Sequence, residues 1–72
     1  MSQSARSITV NGERRAVEAA TVAELLMELG FPTARPGIAV AVEGALVPRR
    51  GWVQTRLADG QTVEIITAAQ GG

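Results

Sequence analysis

The chain contains no cysteine, no histidine and no lysine among its 72 residues. Without cysteine there can be no disulfide, no thiolate nucleophile and no cysteine-ligated metal. Without histidine, the usual general base near neutral pH and the commonest metal ligand are both gone. Without lysine there is no Schiff-base chemistry and no side-chain amine to accept an isopeptide linkage. Aromatic residues are nearly absent, with Phe31, Trp52 and no tyrosine. All seven basic residues are arginines, and seven acids balance them to a formal charge of zero. A neutral chain with no basic block and no aromatic stacking platform makes a poor nucleic-acid binder. No apolar run approaches the ~20 residues needed to cross a bilayer. The polar opening "MSQSARS" is not followed by the apolar segment of a secretory signal. The expectation is a cytoplasmic protein with no nucleic-acid or membrane partner, no metal of its own and no catalytic residues.

What is present is enough for a small fold. Hydrophobic residues make up 46% of the sequence, which argues against disorder. A chain of this length buries only about 60% of its unfolded surface, so its core is marginal. The sequence reads as one domain over 1–72, with a polar lead-in at 1–6 and a flexible tail at 68–72.

"SITVNGERRAV" alternates Ile8 and Val10 with polar residues, then turns at Asn11-Gly12, the strongest short hairpin signal. A strict two-residue turn would set Arg15 opposite Ile8 on the inner face. A bulged or longer turn sets Ala16 there, and the apolar pattern favours it. "TVAELLMELGF" predicts a helix over 21–30. Thr21 and Glu24 form a capping box, and Val22, Leu25, Leu26 and Leu29 make one apolar stripe. Gly30 suits the left-handed C′ position, Phe31 is placed to fold back on Leu26, and Pro32 blocks continuation.

In "PGIAVAVEGALVPRRG", Ile38, Val40 and Val42 face one side of a strand, with Ala39 and Ala41 on the other. A strand apolar on both faces is expected at the centre of its sheet. Glu43-Gly44 turns into a short strand at Leu46-Val47, which Pro48 ends. "RRGWVQTRLADG" has no period and reads as a loop or one short helical turn, pinned by Trp52 and Leu57. Arg49 and Arg50 read as solvated loop residues. Asp59-Gly60 leads into a last strand, "QTVEIIT", with Val63 and Ile65 inward. Met27 and Ile66 lie off the apolar faces and would mark a docking surface if they joined one patch. The order is ββαβββ, followed by "AAQGG".

That order, together with "TVNG", "TVAELLMELG", "GIAVAVEGALVPRRGW" and "LADGQTVEIITAAQGG", resembles the ThiS family of thiamine-biosynthesis sulfur carriers almost from end to end. The family usually carries Asn where Glu43 stands, and Asp-Gly-Asp where this chain has Asp59-Gly60-Gln61; both places are turns. The small subunit of molybdopterin synthase tends to have two prolines before its Gly-Gly, where this chain has Thr67-Ala68-Ala69-Gln70. The resemblance implies an α+β, ubiquitin-like β-grasp fold, a mixed sheet packed on one main helix.

The resemblance also implies that the terminal carboxylate of Gly72 is the reacting group. An E1-like adenylating enzyme would join it to AMP, using ATP and Mg²⁺ held by that partner. A sulfur donor protein would then displace AMP to leave a thiocarboxylate, which a thiazole synthase would consume. The chain would be a co-substrate and no enzyme, with Ala68, Ala69, Gln70 and Gly71 as the segment that partners bind. Residues 68–72 reach about 17 Å when extended, enough to enter a buried nucleotide pocket. Gly71 and Gly72 have no Cβ to obstruct a narrow channel. The same tail chemistry would serve a carrier for molybdopterin or tRNA thiolation. Conjugation to target amines as a ubiquitin-like modifier, or a purely structural β-grasp interaction domain, are the remaining alternatives.

Overall fold

The computed structural model describes residues 5–34 and 36–68. Strands β1 (Arg6–Val10) and β2 (Glu13–Val17) are followed by helix α1 (Val22–Glu28) and strands β3 (Ile38–Val42) and β4 (Ala45–Val47). A single 3-10 turn at Arg49–Gly51 then precedes strand β5 (Thr62–Thr67). One mixed sheet holds all five strands in the order β2-β1-β5-β3-β4. β5 runs parallel to β1 and antiparallel to β3, so the last strand occupies the middle of the sheet. This is the α+β, β-grasp arrangement that the sequence implies. β3, expected at the centre for its two apolar faces, instead lies between β5 and the edge strand β4, and the centre belongs to β5, which pairs with both β1 and β3. β1 takes in Arg6, the last residue of the expected lead-in: Arg6 pairs with Val17, and its guanidinium donates to the Ala19 carbonyl at 3.0 Å.

α1 is short because both ends are fixed by sequence. Thr21 Oγ1 accepts the Glu24 N–H at 3.2 Å, and Glu24 reaches back to accept the Ala20 N–H at 2.8 Å. At the other end Gly30 takes φ +87, as a left-handed C′ glycine does. The Gly30 N–H donates to Met27 O and the Phe31 N–H to Leu26 O, the paired bonds of a Schellman motif. The Val22 and Ala23 N–H groups, which a helix start leaves without intrahelical partners, donate to Thr55 O and Trp52 O. The segment after the 3-10 turn therefore completes the helix start, in addition to sending Trp52 and Leu57 into the core.

The inner faces of the strands and the apolar stripe of α1 close on one another. Ile8, Val22, Leu25, Leu26, Val40 and Val63 are fully buried, with Val10, Val17, Val42, Trp52, Leu57 and Ile65 nearly so. Leu29, Phe31, Ile38 and Val47 pack partly buried against this cluster.

The first hairpin corrects one expectation. Ile8 lies opposite Arg15, with Ala16 opposite Ser7, so the turn is a strict two-residue one. Asn11 (φ 51) and Gly12 (φ 86) are both left-handed, as a type I′ turn demands. The inner-face position of Arg15 costs little, because β2 is an edge strand and an open cleft lies between Arg15 and the C-terminal end of α1. Its side chain is 45% exposed and lies 3.9 Å from the Glu13 carboxylate.

Candidate functional site

Of the five tail residues singled out by sequence, only Ala68 lies among the described residues; Ala69, Gln70, Gly71 and Gly72 lie outside them. Ala68 carries the β3–β5 ladder one step past the Ile38–Thr67 pair, its N–H donating to Gly37 O at 2.7 Å. Gly37 adopts φ +101 there, and a Cβ built on it would stand 3.7 Å from the Ala68 Cβ.

The strand that presents this segment is gripped from both sides. Five Cα pairs join it to β3, from Ile38–Thr67 to Val42–Val63. On its other edge the Asn11 side chain behaves as an extra strand residue. Asn11 Oδ1 accepts the Ile65 N–H at 2.8 Å, and Asn11 Nδ2 donates to Ile65 O at 3.0 Å. The turn residue thereby prolongs the parallel β1–β5 pairing beyond Val10–Val63. The start of β5 is tied in similarly. Asp59 Oδ1 accepts the Ser7 N–H at 2.7 Å, and Glu43 Oε2 accepts the Thr62 N–H at 2.6 Å.

On the sheet face away from α1, Ile66 sits opposite Ala39, and Ala41 opposite Leu46. Ile66 (61% exposed) and Leu46 (72%) give this corner an apolar surface next to the departure of the tail. Met27 is equally exposed but belongs to α1, on the other side of the sheet, so it does not join Ile66 in one patch.

Polar chemistry is sparse. Among the described residues no group of three or more Asp or Glu side chains could hold a metal ion. A cleft of about 340 Å³ opens between the hairpin turn and the end of α1, lined by Val10, Glu13, Arg15, Glu28 and Phe31 among others. The Glu28 carboxylate is engaged, accepting the N–H groups of Glu18 and Ala19. Arg49 is exposed, as expected of a solvated residue, and is in addition a tie between segments. Its guanidinium donates to the Thr33 carbonyl and lies 4.5 Å from the centroid of the Trp52 ring. Trp52 Nε1 in turn donates to Val47 O at 3.1 Å.

Comparison with known proteins agrees with this geometry. The ThiS family model matches residues 5–72. The crystal structure of the thiamine biosynthesis protein ThiS from Geobacter metallireducens is similar at 32% identity, with a TM-score of 0.75 over 92% of this chain and 99% of that one. The NMR solution structure of a thiamine biosynthesis protein from the same organism gives the same identity and TM-score, over 92% and 87%. No curated protein matches the chain.

Proposed function

The chain belongs to the ThiS family, and we propose that it is a sulfur carrier working through the carboxylate of Gly72. The observation that carries this reading is that the family match runs to residue 72, taking in Gly71-Gly72, in a chain whose central strand β5 ends at Thr67. A carboxylate is a poor electrophile, since its charge is delocalised and its oxygen leaves badly. Attack of the Gly72 carboxylate on the α-phosphorus of ATP expels pyrophosphate and gives a mixed anhydride with AMP. Hydrosulfide released by a donor protein then attacks the acyl carbon and expels AMP, and the terminus becomes a thiocarboxylate that gives its sulfur to thiazole formation. ATP and Mg²⁺ are held by an adenylating partner, and a thiazole synthase is the acceptor. This chain supplies a reactive end, a short reach and a body to recognise, without catalysing a step.

We assign docking of the adenylating partner to the surface around Ile66, Ala39, Ala41 and Leu46, because Ile66 lies on β5 only two residues before Ala68, which follows the strand. The test uses the purified chain with a cognate adenylating enzyme, Mg-ATP and a sulfur donor. Intact-mass and peptide-mass spectra should show one oxygen-to-sulfur exchange, confined to the C-terminal peptide. Removing Gly72, or appending one residue after it, should abolish the exchange without changing the thermal melt. Sulfur retained on an extended, unprocessed chain would overturn the reading.

A further inference from the structure

We propose that Asn11–Gly12 is a site of spontaneous deamidation, held back by the two hydrogen bonds that tie the Asn11 amide to Ile65. The site works whether or not the chain carries sulfur. Asn11 is the one asparagine in the sequence, and a glycine follows it. A Cβ built on Gly12 would meet nothing within 4 Å, and glycine itself carries none, so its nitrogen is open to the preceding side chain and to water. Both residues are exposed, and the Gly12 N–H makes no hydrogen bond among the described residues.

The chemistry needs only water. The Gly12 nitrogen loses its proton and bonds to Asn11 Cγ, the Cγ–Nδ2 bond breaks, and ammonia leaves with that proton. A cyclic succinimide remains. Water then adds to one of its two carbonyls and breaks the bond from that carbonyl to nitrogen. Opening at Cγ gives aspartate. Opening at the Asn11 main-chain carbonyl gives isoaspartate, in which the chain runs through the side-chain carbons. One water enters and one ammonia leaves.

What holds the reaction back is the direction of the amide. Oδ1 accepts the Ile65 N–H at 2.8 Å and Nδ2 donates to Ile65 O at 3.0 Å, so Cγ is turned toward β5. The Asn11 backbone N–H, donating to Val63 O at 3.0 Å, keeps the residue beside that strand. Cγ can meet the Gly12 nitrogen only after both side-chain bonds break. Each bond favours the held state by about five-fold net, so the pair slows ring closure by roughly 25-fold. The similar pair Asp59–Gly60 is held at both reacting groups. Asp59 Oδ1 accepts the Ser7 N–H and the Gly60 N–H donates to Ser7 O, each at 2.7 Å.

The converted turn cannot restore the clamp. Ile65 offers one donor and one acceptor, and an amide answers both, whereas an ionised carboxylate has acceptors alone. In the aspartate product an oxygen faces Ile65 O where Nδ2 stood. Isoaspartate also adds a carbon to the main chain of the two-residue turn that sets the Val10–Glu13 pairing. Either product frees the β1-side edge of β5 beyond Val63.

The test incubates the full chain in mildly alkaline buffer, both folded and in urea above its unfolding transition. Peptide mass spectrometry follows residue 11, and enzymatic methylation counts isoaspartate. A synthetic chain with an ester in place of the Glu64–Ile65 peptide bond lacks the Ile65 N–H and so opens half of the clamp. The folded native chain should convert roughly 25-fold more slowly than the unfolded one, with no isoaspartate at Asp59. The folded ester chain should convert about five-fold faster than the folded native chain. Equal rates in either comparison overturn the proposal. So does a folded rate more than about a thousandfold below the unfolded one, which means reaction only from globally unfolded molecules. If the ester chain does not fold, urea below the transition decides. A rate that stays flat there supports local opening, and one that climbs with the full slope of unfolding overturns it. Asn11→Asp, the product made directly, should speed hydrogen exchange at the Ile65 amide by roughly 25-fold, and native protection of that amide overturns the consequence for β5.

Discussion

Replacing Asn11 with glycine takes one side-chain amide from the first turn and leaves its backbone free to stay left-handed. In the native chain that amide exchanges two hydrogen bonds with Ile65, at 2.8 and 3.0 Å. A neutral hydrogen bond contributes a net ~1 kcal/mol, and a partly buried peptide group left without a partner costs further. Asn11→Gly should therefore lose about 2–3 kcal/mol. Asn11→Ala loses the same bonds and adds the left-handed cost of a Cβ at φ 51, ~1–2 kcal/mol more. A domain of this size has roughly 4–11 kcal/mol in total, so either change removes a large share. Urea denaturation with linear extrapolation measures both losses, and hydrogen exchange at the Ile65 amide localises them. An Asn11→Gly protein within about 0.5 kcal/mol of wild type would refute the clamp, because that is the scatter of an ordinary surface change. Equal losses for glycine and alanine would refute the conformational part.

Leu26→Ala should cost ~2–5 kcal/mol by opening a cavity under α1, where Leu26 is fully buried; a loss under 1 kcal/mol in a urea melt would contradict the packing. Arg49→Ala should cost about 1 kcal/mol through the lost contacts with Trp52 and the Thr33 carbonyl, whereas Arg50→Ala should lie within about 0.5 kcal/mol of wild type. Indistinguishable melts for the two would show that Arg49 does no tying. At Glu43, glycine relieves the left-handed φ of 53 but loses the carboxylate bond to Thr62, while alanine loses the bond without the relief. Glu43→Gly should accordingly be the more stable of the two variants by about 1 kcal/mol, and the reverse order would sink the argument.

Sequence made legible whatever is decided within one turn of chain. Thr21, Glu24 and Gly30 mark α1 because capping is local; Thr21 and Gly30 play their expected parts, while the Glu24 carboxylate reaches one residue further back than in a capping box, to the Ala20 N–H. The alternation of Val63 and Ile65 marks the buried face of β5 for the same reason. The register of the first hairpin failed this test because it depends on what lies above Arg15. An apolar inner face was assumed, and the cleft beside α1 makes a charged one tolerable. Asn11 was read only as a turn former, since its partner Ile65 is 54 residues away. Arg49 and the carbonyls of Trp52 and Thr55 were missed likewise, in a segment with no period of its own. As for the site, Gly71-Gly72 stand out in the sequence through their place at its end.

The placement of β5 bears on the proposed carrier role, because it fixes the strand that precedes the C-terminal segment. Each residue of a strand alternates between faces, so a one-residue slip of β5 would exchange Val63 and Ile65 for Glu64 and Ile66 in the core. Bringing Glu64 inside without a partner would cost far more than the marginal stability of so small a domain can bear. Slippage would also break the ladders with β1 and β3 and the Asn11 clamp at once. An edge strand, held on one side only, would resist such a slip far less well. The position of Ala68, just past β5, is therefore fixed by the packing of Val63 and Ile65. On the proposed carrier reading, the core that stabilises the fold thereby also holds in place the strand that precedes the segment offered to a partner.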